Sequence, residues 1–136
     1  LRVKCSIFII DYYIIMCDTP PPDFKKDIPF EKRLSESTKV LEKYPDRVPV
    51  ICQKSIDCKI IPVINKIKYL VPISFTVGQF IHIIRKRTDI NPGQGIFIFV
   101  NNLIPTNSDS IVSVYEKYKD EDGFLYVTYS GENTFG

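Results

Sequence analysis

Five side chains in this 136-residue sequence belong to types that form metal sites or nucleophilic pairs: Cys5, Cys17, Cys52, Cys58 and the single histidine, His82. No two cysteines have the C-x-x-C spacing that prepares a zinc site, so no metal or other cofactor is expected. A Cys–His nucleophile would have to use His82, which falls in an apolar helical pattern where a structural role is favoured. The spacings suggest no disulfide framework, which fits the cytosol. We expect no enzyme activity, and a small cysteine enzyme remains an alternative hypothesis.

The C-terminal residues offer a different chemistry. The segment FLYVTYSGENTFG ends in Phe135 and Gly136. Glycine has no Cβ to obstruct nucleophilic attack at its own carbonyl, and its backbone adopts the unusual conformations that a narrow channel demands. Two interpretations are open at this point: a frayed terminus, or a tail that an enzyme threads into its active site.

Composition is that of an ordinary globular domain, with 44% hydrophobic and 25% charged residues. The net charge of +2 gives no argument for nucleic acid, and no nucleic-acid partner is expected. Basic residues are concentrated between residues 25 and 47 and again at 85–87. These faces could attract an acidic partner or an anionic membrane, although solvated faces are the simpler interpretation.

The N-terminal sequence LRVKCSIFIIDYYII is unusual. It has a basic start and an apolar stretch, but Asp11 interrupts that stretch, no small-residue cleavage site follows, and the stretch is too short to span a bilayer. Because Met16 is the only methionine, the preferred interpretation is that the native protein starts there. The alternative is a real strand or a membrane-touching extension. We therefore predict an extension at 1–28 and a single domain at 29–136.

Apolar residues at helical spacing predict the first helix at 30–44. Leu34, Leu41 and Tyr44 recur at that spacing, and Pro45 ends the run.

Two further helices are predicted later in the chain. Thr76 and Gln79 have the spacing of a capping box, so a long helix should begin there and end at Arg87. Asp109 is the expected cap of a brief helix that ends at Tyr118.

Runs of β-branched and aromatic residues predict the strands. They are 48–54, 68–72, 96–100, 103–105 and 124–129, with a loop at 55–66. Pro49 indicates an edge position or an irregularity at the start of its strand. The run IFIFV (96–100) is apolar at every position, which predicts a central strand.

A hairpin followed by a helical crossover into another strand implies a mixed sheet with the long helix across one face. The predicted fold class is α+β, specifically a ubiquitin-like β-grasp with an additional N-terminal helical segment.

Several strings in the sequence resemble the GABARAP and light-chain-3 family, the ubiquitin-like modifiers of autophagy. They are PFEKR, KYPDRVPVI, KYLVP, TVGQF, IRKR, FVNN, DEDGFLYVTYS and the terminal FG. The resemblance runs collinearly from Pro29 to Gly136 and is weakest at 55–66. Pro20, Pro21 and Pro22 weigh against the small first helix that the family usually has.

The resemblance implies covalent attachment through Gly136. In this family a cysteine protease exposes a C-terminal glycine, activating and conjugating enzymes carry it as thioesters, and the product is an amide with phosphatidylethanolamine. Phe135 would anchor the tail in those enzymes. The implied location is cytoplasmic, with the lipidated form on autophagosomal or related vesicle membranes.

The resemblance also implies capture of receptor peptides with an aromatic-x-x-aliphatic motif, which would add to an exposed edge strand at Lys68–Leu70. The residues implied for the aromatic anchor are Glu36, Val40, Pro49, Ile51, Lys66, Lys68, Leu70 and Phe124. Those implied for the aliphatic anchor are Tyr69, Val71, Pro72, Phe80, Ile83 and Arg87. Lys66 and Lys68 would attract acidic residues that precede the motif, while Ile51, Phe80 and Ile83 are also good core candidates.

A second function that uses the same peptide site remains an alternative hypothesis. A purely non-covalent adaptor, which binds receptors or microtubules and is never conjugated, would use the same peptide site without needing Gly136.

Overall fold

The computed structural model describes residues 8–10, 13–15, 23–55, 67–88, 90–91 and 93–131. Predictions that concern Met16, Pro20–Pro22, Lys66, Phe135 and Gly136 lie outside the described residues, as does most of the predicted 55–66 loop. The helices of the described part are α1 (Phe24–Asp27), α2 (Phe30–Lys43), α3 (Val77–Arg87) and α4 (Ile111–Tyr118). Its strands are β1 (Phe8–Ile10), β2 (Tyr13–Ile15), β3 (Arg47–Lys54), β4 (Lys68–Pro72), β5 (Phe97–Phe99) and β6 (Leu125–Ser130).

The strands form one mixed sheet in the order β1-β2-β4-β3-β6-β5. β3 lies at its centre, antiparallel to β4 and parallel to β6, and β5 is antiparallel to β6. The hairpin, the crossover helix and the mixed sheet agree with the α+β plan predicted from the sequence.

α3 begins at the predicted capping box. The Thr76 hydroxyl accepts a hydrogen bond from the Gln79 backbone N–H at 3.2 Å, and the Gln79 side chain accepts one from the Thr76 N–H at 2.8 Å. Two N–H groups that the first turn leaves unpaired are thereby satisfied. The helix then packs Val77, Phe80 and Ile84 against the sheet.

Side chains along the central strands point alternately to the two faces of the sheet, and a separate part of the core lies on each face. One face, covered by α3 and α4, is the main core and takes alternate residues of β3, β4 and β6. The other face is covered by α1 and α2, and its apolar clusters contain Ile51, Leu70 and Phe124. Period-2 alternation therefore separates the residues of each strand between the two faces.

α1 is present, although the preceding prolines weighed against it. The Asp23 side chain accepts from the Lys26 backbone N–H and so caps the first turn. Phe24 is 1% exposed and packs edge-to-face on Phe124, with ring centroids 5.5 Å apart. Tertiary packing stabilises this four-residue helix, which propensity alone would not do.

The buried side of α2 differs from the predicted one. Leu34 is 39% exposed, whereas Arg33, Ser37 and Val40 are the buried residues of the helix. These three residues also follow helical spacing, but two of them are polar. The spacing of apolar residues in the sequence could therefore not identify this face as the buried one.

One expectation about the sheet is wrong. The 96–100 strand is central in the prediction, but among the described strands β5 pairs with β6 alone and lies at the end of the strand order. Its apolar residues are buried by packing rather than by a second neighbouring strand. Of the two alternatives for Pro49, the edge position does not hold, because β3 is internal, whereas the irregularity at the start of the strand does: pairing with β6 begins only at Val50. At Pro49 there is no β6 neighbour that needs a backbone N–H.

The region before α4 shows one further difference. Asn101 and Asn102 both have positive φ, 51° and 64°, and form the predicted tight turn. The N-cap of α4 is Ser110, however, not Asp109. The Asp109 carboxylate instead accepts from the Thr106 N–H at 3.0 Å and closes the preceding turn.

The predicted N-terminal extension contains two strands in the structure. β1 and β2 form an antiparallel hairpin, and β2 pairs with β4. In the described part of the chain no helix is long and apolar enough to cross a membrane.

Candidate peptide-binding site

β4 is the strand on which the predicted peptide site is built. It pairs with β3 so that Pro49 lies opposite Leu70 and Val50 opposite Tyr69. Leu70 packs with Val40 of α2, while Tyr69 belongs to the core beneath α3. Apart from Pro72, which shares the alternation of Lys68 and Leu70, the two predicted sets of pocket residues therefore lie on opposite faces of β4.

The set predicted for an aromatic anchor lies on the α2 face, except Lys66, which is outside the described residues. Val40 and Leu70 form one small cluster, and Ile51 and Phe124 form another with Phe24. Pro49 is buried too. The structure brings these residues together and packs them under α1 and α2.

Lys68 and Glu36 supply the charged groups of this face. The Lys68 ammonium lies 2.8 Å from a Glu36 carboxylate oxygen and 5.0 Å from the centroid of the Phe24 ring. The Lys68 side chain is 8% exposed and that of Glu36 is 26% exposed. The ammonium thus pairs with the Glu36 carboxylate at the border of the apolar cluster.

The set predicted for an aliphatic anchor, except Pro72, lies on the α3 face. Tyr69, Val71, Phe80 and Ile83 are all buried in the main core. The Tyr69 and Phe80 rings meet edge-to-face with centroids 5.8 Å apart. The two remaining members, Pro72 and Arg87, are half-buried at the ends of β4 and α3. Within this set, Pro72 and Arg87 are the members that keep substantial exposed surface, and Pro72 lies on the side of β4 that carries Leu70.

The edge of β4 is not free, which corrects the exposed-edge expectation for Lys68–Leu70. β2 pairs with β4 so that Ile14 lies opposite Leu70 and Ile15 opposite Tyr69. The sequence feature that indicates β2 is the run of β-branched residues in the N-terminal segment. The preferred interpretation of the sequence set this run aside, because it placed the start of the native protein at Met16.

The comparisons with known proteins now decide the family. The sequence model described as "Autophagy protein Atg8 ubiquitin like" matches residues 32–136. The chain belongs to the Atg8 family. It is therefore an autophagy-related ubiquitin-like protein, and the resemblance and fold predicted from the sequence are confirmed.

Individual Atg8 relatives agree with this assignment. Autophagy-related protein 8 of Schizosaccharomyces pombe is 55% identical over 113 residues, which are 83% of this chain and 93% of that protein. Autophagy-related protein 8 of Mycosarcoma maydis is also 55% identical over 113 residues, 83% of this chain and 95% of that protein.

Two solved Atg8 structures share the fold. That of Trypanosoma brucei Atg8 superposes with a TM-score of 0.77 at 40% identity, covering 81% of this chain and 94% of that one. Plasmodium falciparum Atg8, solved in complex with a P. falciparum Atg3 peptide, has a TM-score of 0.73 at 36% identity and covers 82% and 98% of the two chains.

A buried polar network that sequence reasoning missed lies beside the α2 face of this Atg8-family chain. Asp122 is 0% exposed and accepts hydrogen bonds from the Arg33 guanidinium, the Tyr126 hydroxyl and the Phe124 backbone N–H. The Ser37 hydroxyl donates to the Asp122 carbonyl oxygen. The carboxylate thus joins α2 to the start of β6 and holds Phe124 in place. Burial, and then the hydrogen bond to Asp122, raise the pKa of Tyr126 well above its ordinary value.

Cys52, which lies within the described residues, and His82 do not support nucleophilic chemistry. Cys52 is 0% exposed, and burial strongly raises the pKa of its thiol, so the reactive thiolate is disfavoured. His82 is on the exposed side of α3. Within the described residues no cluster of potential ligands could hold a metal ion.

A separate cavity of about 490 Å³ lies between the β5–α4 connection and α4. Leu103, Ile104 and Tyr118 line it, and Leu103 is 54% exposed. None of the residues predicted for the peptide site belongs to its lining.

Proposed function

We propose that this Atg8-family chain is a ubiquitin-like modifier that is joined through Gly136 to phosphatidylethanolamine on autophagosomal membranes. The observation that carries the proposal is the family match, which runs through Gly136. The unconjugated form would be cytoplasmic, and the lipidated form would reside on autophagosomal or related vesicle membranes.

The chemistry requires an unhindered carboxylate and an energy source. An activating enzyme joins the Gly136 carboxylate to AMP from ATP and releases pyrophosphate. A cysteine thiolate then displaces AMP to give a thioester, and a conjugating enzyme takes up the acyl group by thioester exchange. The amine of phosphatidylethanolamine finally displaces the thiolate. Glycine suits each attack because no Cβ shields its carbonyl carbon. A cysteine protease would expose this glycine and later cleave the amide.

Reconstitution tests the conjugation directly. The chain is incubated with purified activating and conjugating enzymes of the pathway, ATP and phosphatidylethanolamine liposomes, and the liposome-bound product is followed on a gel. We expect conjugation of the unaltered chain and of the control Gly93→Ala, and a strong reduction for Gly136→Ala. Gly93 is the matched control because it is exposed and an added Cβ meets only an ordinary contact at 3.5 Å. Equal behaviour of all three chains would contradict the proposal.

We further infer that β4 and its two flanking faces bind extended peptides with an aromatic-x-x-aliphatic motif, including those of autophagy receptors. The Atg8 of P. falciparum was solved with an Atg3 peptide, which supports an Atg3-type conjugating partner for this chain too. Strand pairing would supply sequence-independent binding once β2 is displaced from β4, and each apolar anchor contributes about 1.5–3 kcal/mol, so dissociation constants in the micromolar range are expected for the uncovered strand.

The location of the protein in cells separates conjugation from a purely non-covalent adaptor. Deletion of Gly136 should release the protein from vesicle membranes if it is lipidated. Unchanged localisation would favour the adaptor, which uses the peptide site alone.

A further inference from the structure

The N-terminal hairpin lies on the strand that an incoming peptide would need. One edge of β4 pairs with β3 along residues 68–72, and the other pairs with β2 through Ile14–Leu70 and Ile15–Tyr69. We propose that residues 8–15 act as an intramolecular competitor that covers β4 and restricts peptide binding until the hairpin is displaced. This inference rests on the proposed peptide-binding function and assigns its regulation.

The competition follows from backbone geometry. A strand offers the N–H and C=O groups of one edge to a single neighbour. While Ile14 lies opposite Leu70, a peptide cannot form the same pairing at that position. A ligand that gains its sequence-independent affinity from this edge must first remove β2.

The sequence of the hairpin resembles the ligands that it would exclude. Asp11 precedes Tyr12, and Ile15 follows Tyr12 at the spacing of an aromatic-x-x-aliphatic motif. The strands themselves, Phe8–Ile10 and Tyr13–Ile15, consist of aromatic and β-branched residues that favour extended pairing.

The contact has the limited extent that a displaceable cover needs. β2 is registered with β4 at two residue pairs, whereas β3 is registered with it at five. A two-stranded hairpin is only marginally stable by itself. It is nevertheless connected to Asp23 through residues 16–22, and such a short connection keeps its local concentration in the millimolar range.

The limited pairing of β2 with β4 and the high local concentration of the hairpin together determine how far the apparent affinity for a peptide is lowered. If the open form makes up about a tenth of the population, the apparent dissociation constant of a peptide is about tenfold higher than that of an uncovered chain. A single weak motif would then bind poorly, whereas a partner that presents several motifs on a membrane would still displace the hairpin.

The test compares the full chain with Ile14→Pro and Ile14→Val. Proline removes the backbone N–H and disfavours strand pairing, while valine keeps both the N–H and the β propensity. Each chain is titrated with a fluorescent peptide that carries acidic residues before an aromatic-x-x-aliphatic motif. Hydrogen exchange is measured without peptide at the amides of β4, and at those of β6 as a check on the fold.

We expect Ile14→Pro to bind the peptide about tenfold more tightly than the unaltered chain, and Ile14→Val to change the affinity less than about twofold. Exchange at β4 should accelerate in Ile14→Pro, with β6 unchanged. A synthetic peptide of residues 8–15 should also compete with the labelled peptide on the Ile14→Pro chain.

The possible failures can be told apart. Equal, measurable affinities in all three chains would overturn the competitor and leave the peptide site intact. Absence of binding in all three, including Ile14→Pro with unchanged exchange at β6, would overturn the peptide site and this inference with it. Weaker binding by a folded Ile14→Pro chain would show that the hairpin assists the ligand, which also contradicts the proposal.

Discussion

Arg33 and Asp122 form an ion pair between residues 89 positions apart, with side chains 9% and 0% exposed. The pair joins the first turn of α2 to the turn before β6. Because Asp122 also accepts from Tyr126 and from the Phe124 backbone, one carboxylate orients the residues that form the α2 face of the candidate site.

Arg33→Met should destabilise the protein strongly. It leaves the Asp122 carboxylate buried without its cation, and loss of one partner of a buried pair typically costs about 3–5 kcal/mol. Lys32→Met is the matched control, because Lys32 is the exposed neighbour of Arg33 on the same helix. Urea unfolding followed by circular dichroism measures both variants. A loss below about 1 kcal/mol for Arg33→Met would show that the pair does not hold α2 in place.

Tyr126 should make the protein sensitive to alkali. Burial and the hydrogen bond to Asp122 raise its pKa in the folded state above the unfolded value of 10.0. The contribution to stability is therefore fully present below pH 10 and is lost as the pH rises further, because only the unfolded chain ionises readily. Tyr126→Phe should be less stable at neutral pH by about 1–2 kcal/mol, yet lose less stability between pH 8 and pH 10.5.

Urea midpoints at the two pH values measure this difference. Tyr44→Phe, which removes a hydroxyl from a half-buried tyrosine at the end of α2, is the control. If Tyr126→Phe and the unaltered chain lose the same stability between pH 8 and pH 10.5, ionisation of Tyr126 does not account for the loss of stability in alkali.

Gly123 should tolerate no side chain. Its φ is +91°, a conformation strained for other residues, and an added Cβ would clash with the Ser37 hydroxyl, which donates a hydrogen bond to the Asp122 carbonyl oxygen. Gly123→Ala should cost at least about 1–3 kcal/mol, whereas Gly93→Ala should change the unfolding free energy by less than about 0.5 kcal/mol. Adding Ser37→Ala to Gly123→Ala should recover only part of the loss, because the backbone strain remains. Thermal unfolding of the four chains would contradict this if both glycine variants were equally stable.

The parts of the fold that could be predicted are those in which one local signal suffices. The capping box of Thr76 and Gln79, the alternation in β6 and the turn of two asparagines after β5 each depend on neighbouring residues alone. The GABARAP-like strings then carried the family assignment, which the match over residues 32–136 confirms.

What could not be predicted depends on contacts distant in sequence. The burial of Arg33 in place of Leu34 is explained only by Asp122, which no periodicity in α2 reveals. The apolar run around β5 indicates that the strand is buried, but it does not indicate how many strands pair with it. The sequence therefore predicted a central strand where the structure has an edge strand. The pairing of β2 with β4 likewise joins segments that no turn or short loop connects.

A charge exchange between Lys68 and Glu36 should separate peptide binding from stability. Leu70→Ala cannot do so, because Leu70 is 0% exposed and its truncation should cost about 2–5 kcal/mol through the cavity it leaves. Lys68→Glu places a second carboxylate beside Glu36, which the ammonium now contacts at 2.8 Å. It should both destabilise the chain and weaken a peptide with acidic residues before its motif by about tenfold, or about 1.4 kcal/mol.

The double variant Glu36→Lys/Lys68→Glu restores the pair in reverse. Stability should return to within about 1 kcal/mol of the original, because the two charges are again neutralised, but the ammonium no longer projects from β4. Peptide affinity, measured by calorimetry, should therefore stay low. Lys39→Glu on the exposed face of α2 controls for the change in net charge. Recovery of peptide affinity together with stability would mean that Lys68 supports the fold and does not meet the ligand.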